Sequence, residues 1–526
     1  MDSFNQSSSL PSEMFLKGYI ALGGTSAVIG TSALAIFVTA LLFTNKSVLG
    51  TIMNFFLNLR YQYPRVDGKG YMKGPGYIFP NGQMTEKFLN AAQKSKEWEE
   101  ENGSVYRVWA GTVPEVVITQ SADVERLYQQ SNDHNKAHQA NAGWLLTQLL
   151  GSGLGLINGT RWTNLRKKLD PMFSHRTSMQ LLHETFNSTA EDHVINLNQY
   201  AVTQPQEKND EKGFIINATQ AVQRYPFFEV AQMFYGKMTK DEKEKLWELG
   251  KLYSQVFGSI VFGGIHRTKW TKYINTKAYQ SAKEYQKQFR HFNMDMYNSR
   301  KVDAPTTPIV TLIDAAKRGE LTEKEVTDTI AESSFANLDI VTQVISSCII
   351  LLADAPAVQA DLLAEIRKNK DDHENYIARK DTLIHYCLLE ALRLRPVLAF
   401  TFPENPPREK RLGDFIVPKD TTVIVDAFAI NIRNPFWGPD NRSYRPRRFE
   451  SIKPNQLRYN LSTFGYGPRK CLGQYIADKI IKSLVFHLFY KYEVSLNLGQ
   501  DDKGDFKVDK TSWVGLYDLE LKLVAR

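Results

Sequence analysis

From Gly18 to Asn45 the chain runs 28 residues without a charged side chain. A predominantly apolar stretch of roughly 20 residues is enough to cross a bilayer. A cleaved signal peptide is the rival reading, but it normally carries a basic leader and a shorter apolar run. Here Asp2 and Glu13 precede the run, with Lys17 as the only base. Residues 18–45 are therefore expected to form one N-terminal transmembrane helix. Lys46, Arg60, Arg65, Lys69 and Lys73 follow it, which makes the following side cytosolic and leaves residues 1–17 as a short luminal segment. Residues 46–76 read as a juxtamembrane stretch. Leu49, Ile52, Phe55, Phe56 and Leu59 have helical spacing suited to a membrane interface. Pro64, Gly68, Gly70, Gly74, Pro75 and Gly76 then suggest a hinge. Residues 77–526 form the cytosolic body.

Forty-two per cent hydrophobic and 12 per cent aromatic residues exclude a disordered or collagen-like chain. The balance of 65 basic to 57 acidic side chains, +8 over 526 residues, is too dilute for a nucleic-acid-binding protein. It still suits an acidic partner protein or anionic lipid. Three cysteines, Cys348, Cys387 and Cys471, cannot build a disulfide framework, so the body belongs in a reducing compartment.

The pattern is mainly α with small β-sheets. Short strands are expected at Val105–Ala110, Glu115–Thr119, Phe415–Val417 and Thr421–Val425. A long helix starts at the capping box Thr322-x-x-Glu325 and runs to about Ala353. Further helices are expected over Pro356–Lys370, Asp381–Leu394 and from just after Cys471 to near Tyr490. The stretch from Pro435 to Leu461 reads as irregular.

The most informative segment is Phe464-Gly-Tyr-Gly-Pro-Arg-Lys-Cys-Leu-Gly473. A Gly/Pro-rich loop delivers Cys471 to the start of a helix, where free N–H groups and the helix dipole favour a thiolate. Gly467 permits a tight turn, Gly473 leaves room for something flat, and Arg469 sets a positive charge nearby. The implied chemistry is an anionic sulfur ligand beside a flat, anionic cofactor. A buried structural cysteine and a redox or protease nucleophile are the competing readings, although no resolving Cys or partner His lies close in sequence. No neighbouring Cys or His has zinc-ligand spacing.

Phe464, Gly467, Arg469, Cys471 and Gly473 match every fixed position of Phe-x-x-Gly-x-Arg-x-Cys-x-Gly, so the chain resembles the cytochrome P-450 family. Glu390-x-x-Arg393 and Pro446-Arg-Arg-Phe449 resemble the family's buried network, with Arg448 completing it. Trp162-x-x-x-Arg166 resembles its pair at a haem propionate, and the N-terminal span resembles the microsomal members. The resemblance implies haem b with Cys471 as axial ligand of the iron, and electrons from NADPH through a separate NADPH–cytochrome P-450 reductase. It also implies anchorage in the endoplasmic reticulum membrane. Arg469 and Lys470 would help to dock the reductase.

Phe335-Ala-Asn-Leu-Asp-Ile-Val-Thr342 aligns with the family's oxygen-site pattern. Asp339 holds the acidic position, but Ile340 stands where a threonine is usual, and Asn337 replaces a glycine. At about 100° per residue Thr342 lies roughly 200° away from position 340, whereas Asn337 lies within about 60°. Asn337, or the substrate itself, is expected to supply the missing hydrogen bond. A further departure is the lack of a basic residue between Pro396 and Arg408, where relatives often place another propionate partner. Trp144, Leu145, Phe257, Phe262 and Phe402 fall in segments that would form a pocket for a hydrophobic small molecule. Closer likeness is to fungal secondary-metabolite enzymes, including those tailoring gliotoxin-like epipolythiodioxopiperazines and related peptide or alkaloid products. Ile340 also keeps two other readings open: a non-catalytic haem-binding sensor or carrier, and a haem-thiolate enzyme of rearrangement, dehydration or coupling.

Overall fold

The computed structural model describes residues 45–526 apart from 130, 132, 138–141, 204–212, 498–507 and 510–511. The expected luminal segment and transmembrane span, up to residue 44, lie outside the described residues. The chain divides into a small unit, up to Tyr61 together with Gly76–Pro80, and a large unit of Gln62–Pro75 and Asn81–Arg526.

The small unit is built on helix α1 (Lys46–Arg60), started by Asn45, whose side chain accepts from the Ser47 and Val48 N–H groups. Asn54 accepts from the Tyr77 N–H at 3.2 Å, and Gly50 lies so near the Tyr77 carbonyl that a Cβ would sit 2.7 Å from it. Ile52, Phe55, Phe56 and Leu59 are exposed in one stripe at i, i+3, i+4 and i+7. Leu49, named with them in the sequence, is half-buried.

Residues 62–75 are less free than a hinge. Tyr63 and Met72 are buried, Arg65 pairs with Asp414 at 2.9 Å, and the Arg107 N–H bonds to the Lys73 carbonyl. Gly74 lies against the Arg107 backbone, where a Cβ would clash, whereas Gly68 and Gly70 face open space.

The large unit is helical around small sheets. Strands β1 (Val105–Ala110) and β2 (Val113–Ile118) form an antiparallel hairpin. Pro114, which precedes the strand expected from Glu115, lies within β2 opposite Trp109. Next come β3 (Asn135–Lys136), β4 (Ala201–Thr203), β5 (Gly213–Asn217), β6 (Glu404–Asn405), β7 (Lys410–Leu412), β8 (Phe415–Val417), β9 (Thr422–Val425), β10 (Tyr492–Leu496) and β11 (Glu520–Ala525). One sheet has the order β1-β2-β9-β6-β3, a second β10-β11-β5-β4, and β7 and β8 pair alone.

Five helices carry the site: α2 (Gly159–Leu169), α3 (Lys240–Phe262), α4 (Glu323–Ala353), α5 (Leu383–Leu394) and α6 (Gln474–Lys491). The 31-residue α4 opens with the expected reciprocal capping box between Thr322 and Glu325. By length and composition α4 could cross a membrane, yet most of its apolar window is buried inside the protein, so it is the central core helix. It packs against α5, α6 and the helix Arg224–Tyr235. Helix α5 begins at Leu383 rather than Asp381, because extended Thr382 takes the cap position and Asp381 turns outward to Arg379. The helix expected to reach Lys370 stops at Lys368. Short turns at Pro435–Trp437, Pro446–Glu450 and Pro454–Leu457 punctuate the stretch expected to be irregular.

Candidate active site

The cysteine loop is shaped by its backbone. Gly465 and Gly467 adopt φ of 74° and 64°, the left-handed region that side chains disfavour. Gly467–Arg469 makes one 3-10 turn, and the Cys471 N–H closes the loop onto the Phe464 carbonyl at 2.8 Å. Gly473 caps α6, which starts at Gln474. Cys471 is exposed, whereas Cys348 and Cys387 are buried. A Cβ at Gly473 would meet only the Cys471 sulfur, at 3.9 Å. The space in front of the thiol is therefore open, as a flat ligand requires. The expected lowering of the thiol pKa is opposed: desolvation pushes the Cys471 thiol up, while the Gly473 N–H and the Arg166 charge pull it down.

Trp162 and Arg166 project from α2 beside this loop. The Arg469 guanidinium lies 4.6 Å from the Trp162 ring centre and that of Arg166 5.9 Å. Arg166 also donates to Asp170 at 2.5 Å. Arg469 donates to Asn158 Oδ1 and to the Ile157 carbonyl, both at 2.9 Å. Among the described residues no carboxylate lies within ion-pair reach of it. Burial pulls the Arg469 guanidinium down to about 10. A partly desolvated cation resting on neutral oxygens, with Arg166 nearby, calls for an anionic ligand. An open thiol, an open glycine and two guanidiniums fit a haem with its propionates.

The expected ion network is assembled as a buried cluster. Arg393 donates to Glu390 at 2.7 and 2.9 Å, and Arg448 Nε donates to Glu390 Oε1 at 2.9 Å. The Arg445 N–H adds a further bond to that oxygen. The remaining guanidinium hydrogens go to Asn431, Asn441, Ser443, Trp437 and Asp440, which ties α5 to the chain leading into the cysteine loop.

On α4 both polar side chains singled out in the sequence have partners within the protein. The Asn337 side-chain amide donates to the Ser333 carbonyl one turn back, so one amide hydrogen is already engaged. Asp339 accepts from the Trp513 indole N–H at 2.7 Å, and desolvation raises its carboxyl. Thr342 is buried, with its hydroxyl 3.5 Å from the Asn337 carbonyl. Phe257 on α3 packs on Trp513 with ring centres 4.9 Å apart, and Tyr253 stacks on Phe335 at 4.8 Å. Of the other aromatics assigned to the pocket, Trp144 packs on Tyr279, whereas Phe262 and Phe402 are exposed.

Several residues escaped the sequence reading. The loop Gly151-Ser-Gly-Leu-Gly155 gives its backbone to side chains of α4. The Ser152 N–H donates to Asp328, that of Leu154 to Thr329, and that of Gly155 to Glu332 at 3.0 Å. A Cβ at Gly153 would lie 2.7 Å from the Glu332 carboxylate. Desolvation pushes Glu332 up to about 7. The repeated glycines were a usable signal, but their partners 176 and 177 residues away were not.

A helical body that presents an open thiol at the head of α6, beside a pair of guanidiniums, defines a haem-thiolate protein. The family model "Cytochrome P450" matches residues 72–512, and the chain belongs to that family. It is 63% identical, over 99% of this chain and 96% of the relative, to cytochrome P450 monooxygenase hasH of Aspergillus fumigatus. It is 38% identical to cytochrome P450 monooxygenase sirC of Leptosphaeria maculans, over 90% of this chain and 92% of that one. It is 32% identical to cytochrome P450 monooxygenase gliC of Aspergillus fumigatus, over 89% and 92%. The protein is a cytochrome P450 monooxygenase, an oxidoreductase whose family cofactor is haem iron. A haem bound there, with Arg469 and Arg166 at its anionic edge, would supply dioxygen activation.

Proposed function

We propose that Cys471 is the axial ligand of haem b and that the enzyme oxidises a hydrophobic small molecule with O2 and electrons from NADPH, delivered by a separate reductase. Its product belongs to fungal secondary metabolism, of the epipolythiodioxopiperazine type or a related peptide or alkaloid. The observation that carries this reading is the exposed Cys471 thiol beside Arg469, a cation without a carboxylate partner among the described residues. Arg469, Arg166 and Trp162 hold the cofactor's anionic edge. Phe464 and Gly473 shape the loop around the sulfur, and Glu390, Arg393 and Arg448 fix the chain leading into it. The aromatic group of Tyr253, Phe257 and Trp513 offers an apolar wall to the substrate.

Asp339 and Asn337 are the oxygen-side polar groups. The amide of Asn337 keeps one hydrogen beyond that given to Ser333, and that hydrogen takes the place of the missing threonine hydroxyl. Turnover by Asn337→Gly at wild-type coupling of NADPH to product would refute that role.

Membrane attachment to the endoplasmic reticulum, with the body cytosolic, is supported by the apolar stripe of α1. A second exposed apolar group, Phe262, Ile265, Trp270, Tyr273 and Ile274 on the large unit, adds support by its exposure alone.

The first experiment is the reduced carbon-monoxide difference spectrum of wild type beside Cys471→Ser. A red-shifted Soret band in wild type alone supports thiolate ligation. A haem spectrum without that band would overturn it. Product analysis with NADPH, reductase and cyclic dipeptide precursors then tests the substrate class; an unoxygenated product would favour coupling or dehydration, which Ile340 leaves open.

A further inference from the structure

Arg469 can be held on two neutral oxygens only if those oxygens are themselves fixed. Asn158 is fixed from its other side. It occupies the N-cap of α2 but makes no side-chain cap bond. Its Oδ1 instead accepts the Lys136 N–H at 2.8 Å, and its Nδ2 donates to the Lys136 carbonyl at 3.0 Å. One amide thus joins three elements: the cysteine loop, the head of the Trp162 helix and β3.

Strand β3 is two residues long, too short to hold itself. Lys136 lies directly opposite Glu404 in the β3–β6 pairing. The Lys136 ammonium meets Glu404 Oε1 at 2.5 Å, while Glu404 Oε2 accepts from the Tyr128 hydroxyl at 2.8 Å and faces His134 Nδ1 at 2.9 Å. The other nitrogen of His134 faces the Ser131 carbonyl at 2.9 Å. Glu404 is buried, which by itself would raise its carboxyl, yet the Lys136 charge and the bonds from His134, Lys136 and Tyr128 hold it down at about 2. The charges that act on Arg469 are those of Glu404, Glu332, Arg166 and Asp133. Glu404 therefore bears on Arg469 twice, through the hydrogen-bond chain and through its field. It also lies in the Pro396–Arg408 stretch that has no basic residue.

We propose that Glu404 is a positioning residue of the haem cradle: through the Lys136 cross-strand pair and the Asn158 clasp it fixes Arg469 against the cofactor's anionic edge. The Lys136–Glu404–His134 cluster thereby does the work of the basic residue absent from Pro396–Arg408. This rests on the reading of the Cys471 loop as the haem site, so the carbon-monoxide band of wild type is recorded first; its absence overturns that reading and this one together.

With the band present, the full-length haem-loaded protein is compared with Glu404→Gln, Lys136→Met and Asn158→Ala, using apomyoglobin as haem acceptor at one fixed pH. Haem transfer should be faster by roughly 10- to 100-fold in each variant, the range for losing a hydrogen bond to a charged group. The haem reduction potential should rise in Glu404→Gln, which loses a negative charge, and fall in Lys136→Met, which loses a positive one. Opposite shifts are something a merely structural role would not give. Wild-type transfer rates, or potentials that stay put or move in one direction in both variants, overturn the proposal. If Glu404→Gln does not accumulate, Asn158→Ala, which leaves the charges in place, decides it: faster transfer at an unchanged potential supports the relay, and wild-type transfer overturns it.

Discussion

Glu332 is a carboxyl enclosed by glycines, with one backbone donor and a folded-state pKa of about 7 against an ordinary 4.5. Because the folded state binds its proton more tightly, the contribution to stability is complete below pH 4.5 and is lost as pH rises through about 7. Glu332→Gln keeps an oxygen for the Gly155 N–H and has no charge to desolvate. Urea unfolding at pH 8 should find the variant more stable than wild type by about 1–3 kcal/mol, with the gap closing toward pH 4.5. A gap independent of pH would show that Glu332 ionises at little cost. At Asp339, removal of the indole N–H in Trp513→Phe leaves a half-buried carboxylate without that donor. We expect a loss of about 1–3 kcal/mol at neutral pH, and less in acid, where the carboxyl is protonated, in the same unfolding experiment.

Between elements, the cluster on α5 sets the largest single-site effects. Glu390 and Arg393 are fully buried and Arg448 nearly so. Glu390→Ala leaves two guanidiniums without their shared acceptor, so a loss of about 3–5 kcal/mol is expected, with little haem-loaded protein recovered. Haem content per chain, by pyridine haemochrome assay, reads this directly, and normal loading would refute it. This network could be read from the sequence because Glu390 and Arg393 are helical neighbours within a recognisable pattern. The Thr322–Glu325 box and the Gly467 turn were legible for the same reason: each acts within a few residues of itself. Glu404 was not, since Tyr128 and His134 come to it from 276 and 270 residues away and through a two-residue strand too short to leave a periodic signal. Asn158 sits at the N-cap of α2, but tertiary contacts with Lys136 and Arg469 take its amide. At Asn337 rotation about the helix gives the face, but the engagement of one amide hydrogen by the Ser333 carbonyl one turn back is a local contact that spacing alone does not reveal.

For the molecule as a whole, the proposed membrane attachment does not rest on the uncharged run alone. A chain starting at Lys46 should still sediment with anionic vesicles, because Ile52, Phe55, Phe56 and Leu59 form an exposed apolar stripe. Replacing Phe55 and Phe56 by Ser in that shortened chain should weaken vesicle binding several-fold while the carbon-monoxide spectrum is unchanged. Equal binding would mean that the stripe does not enter lipid.

The Gly151–Gly155 loop, recognised by α4 through its main chain, has a consequence for anyone who wishes to diversify this enzyme. Three peptide N–H groups are matched to Asp328, Thr329 and Glu332, so the contact is indifferent to which side chains Ser152 and Leu154 carry as donors. It does depend on their number, since a residue added or removed between Gly151 and Gly155 shifts every donor out of step with the helix. Randomised libraries at position 152 should therefore retain many folded clones, while libraries of changed length in the same five residues should retain very few.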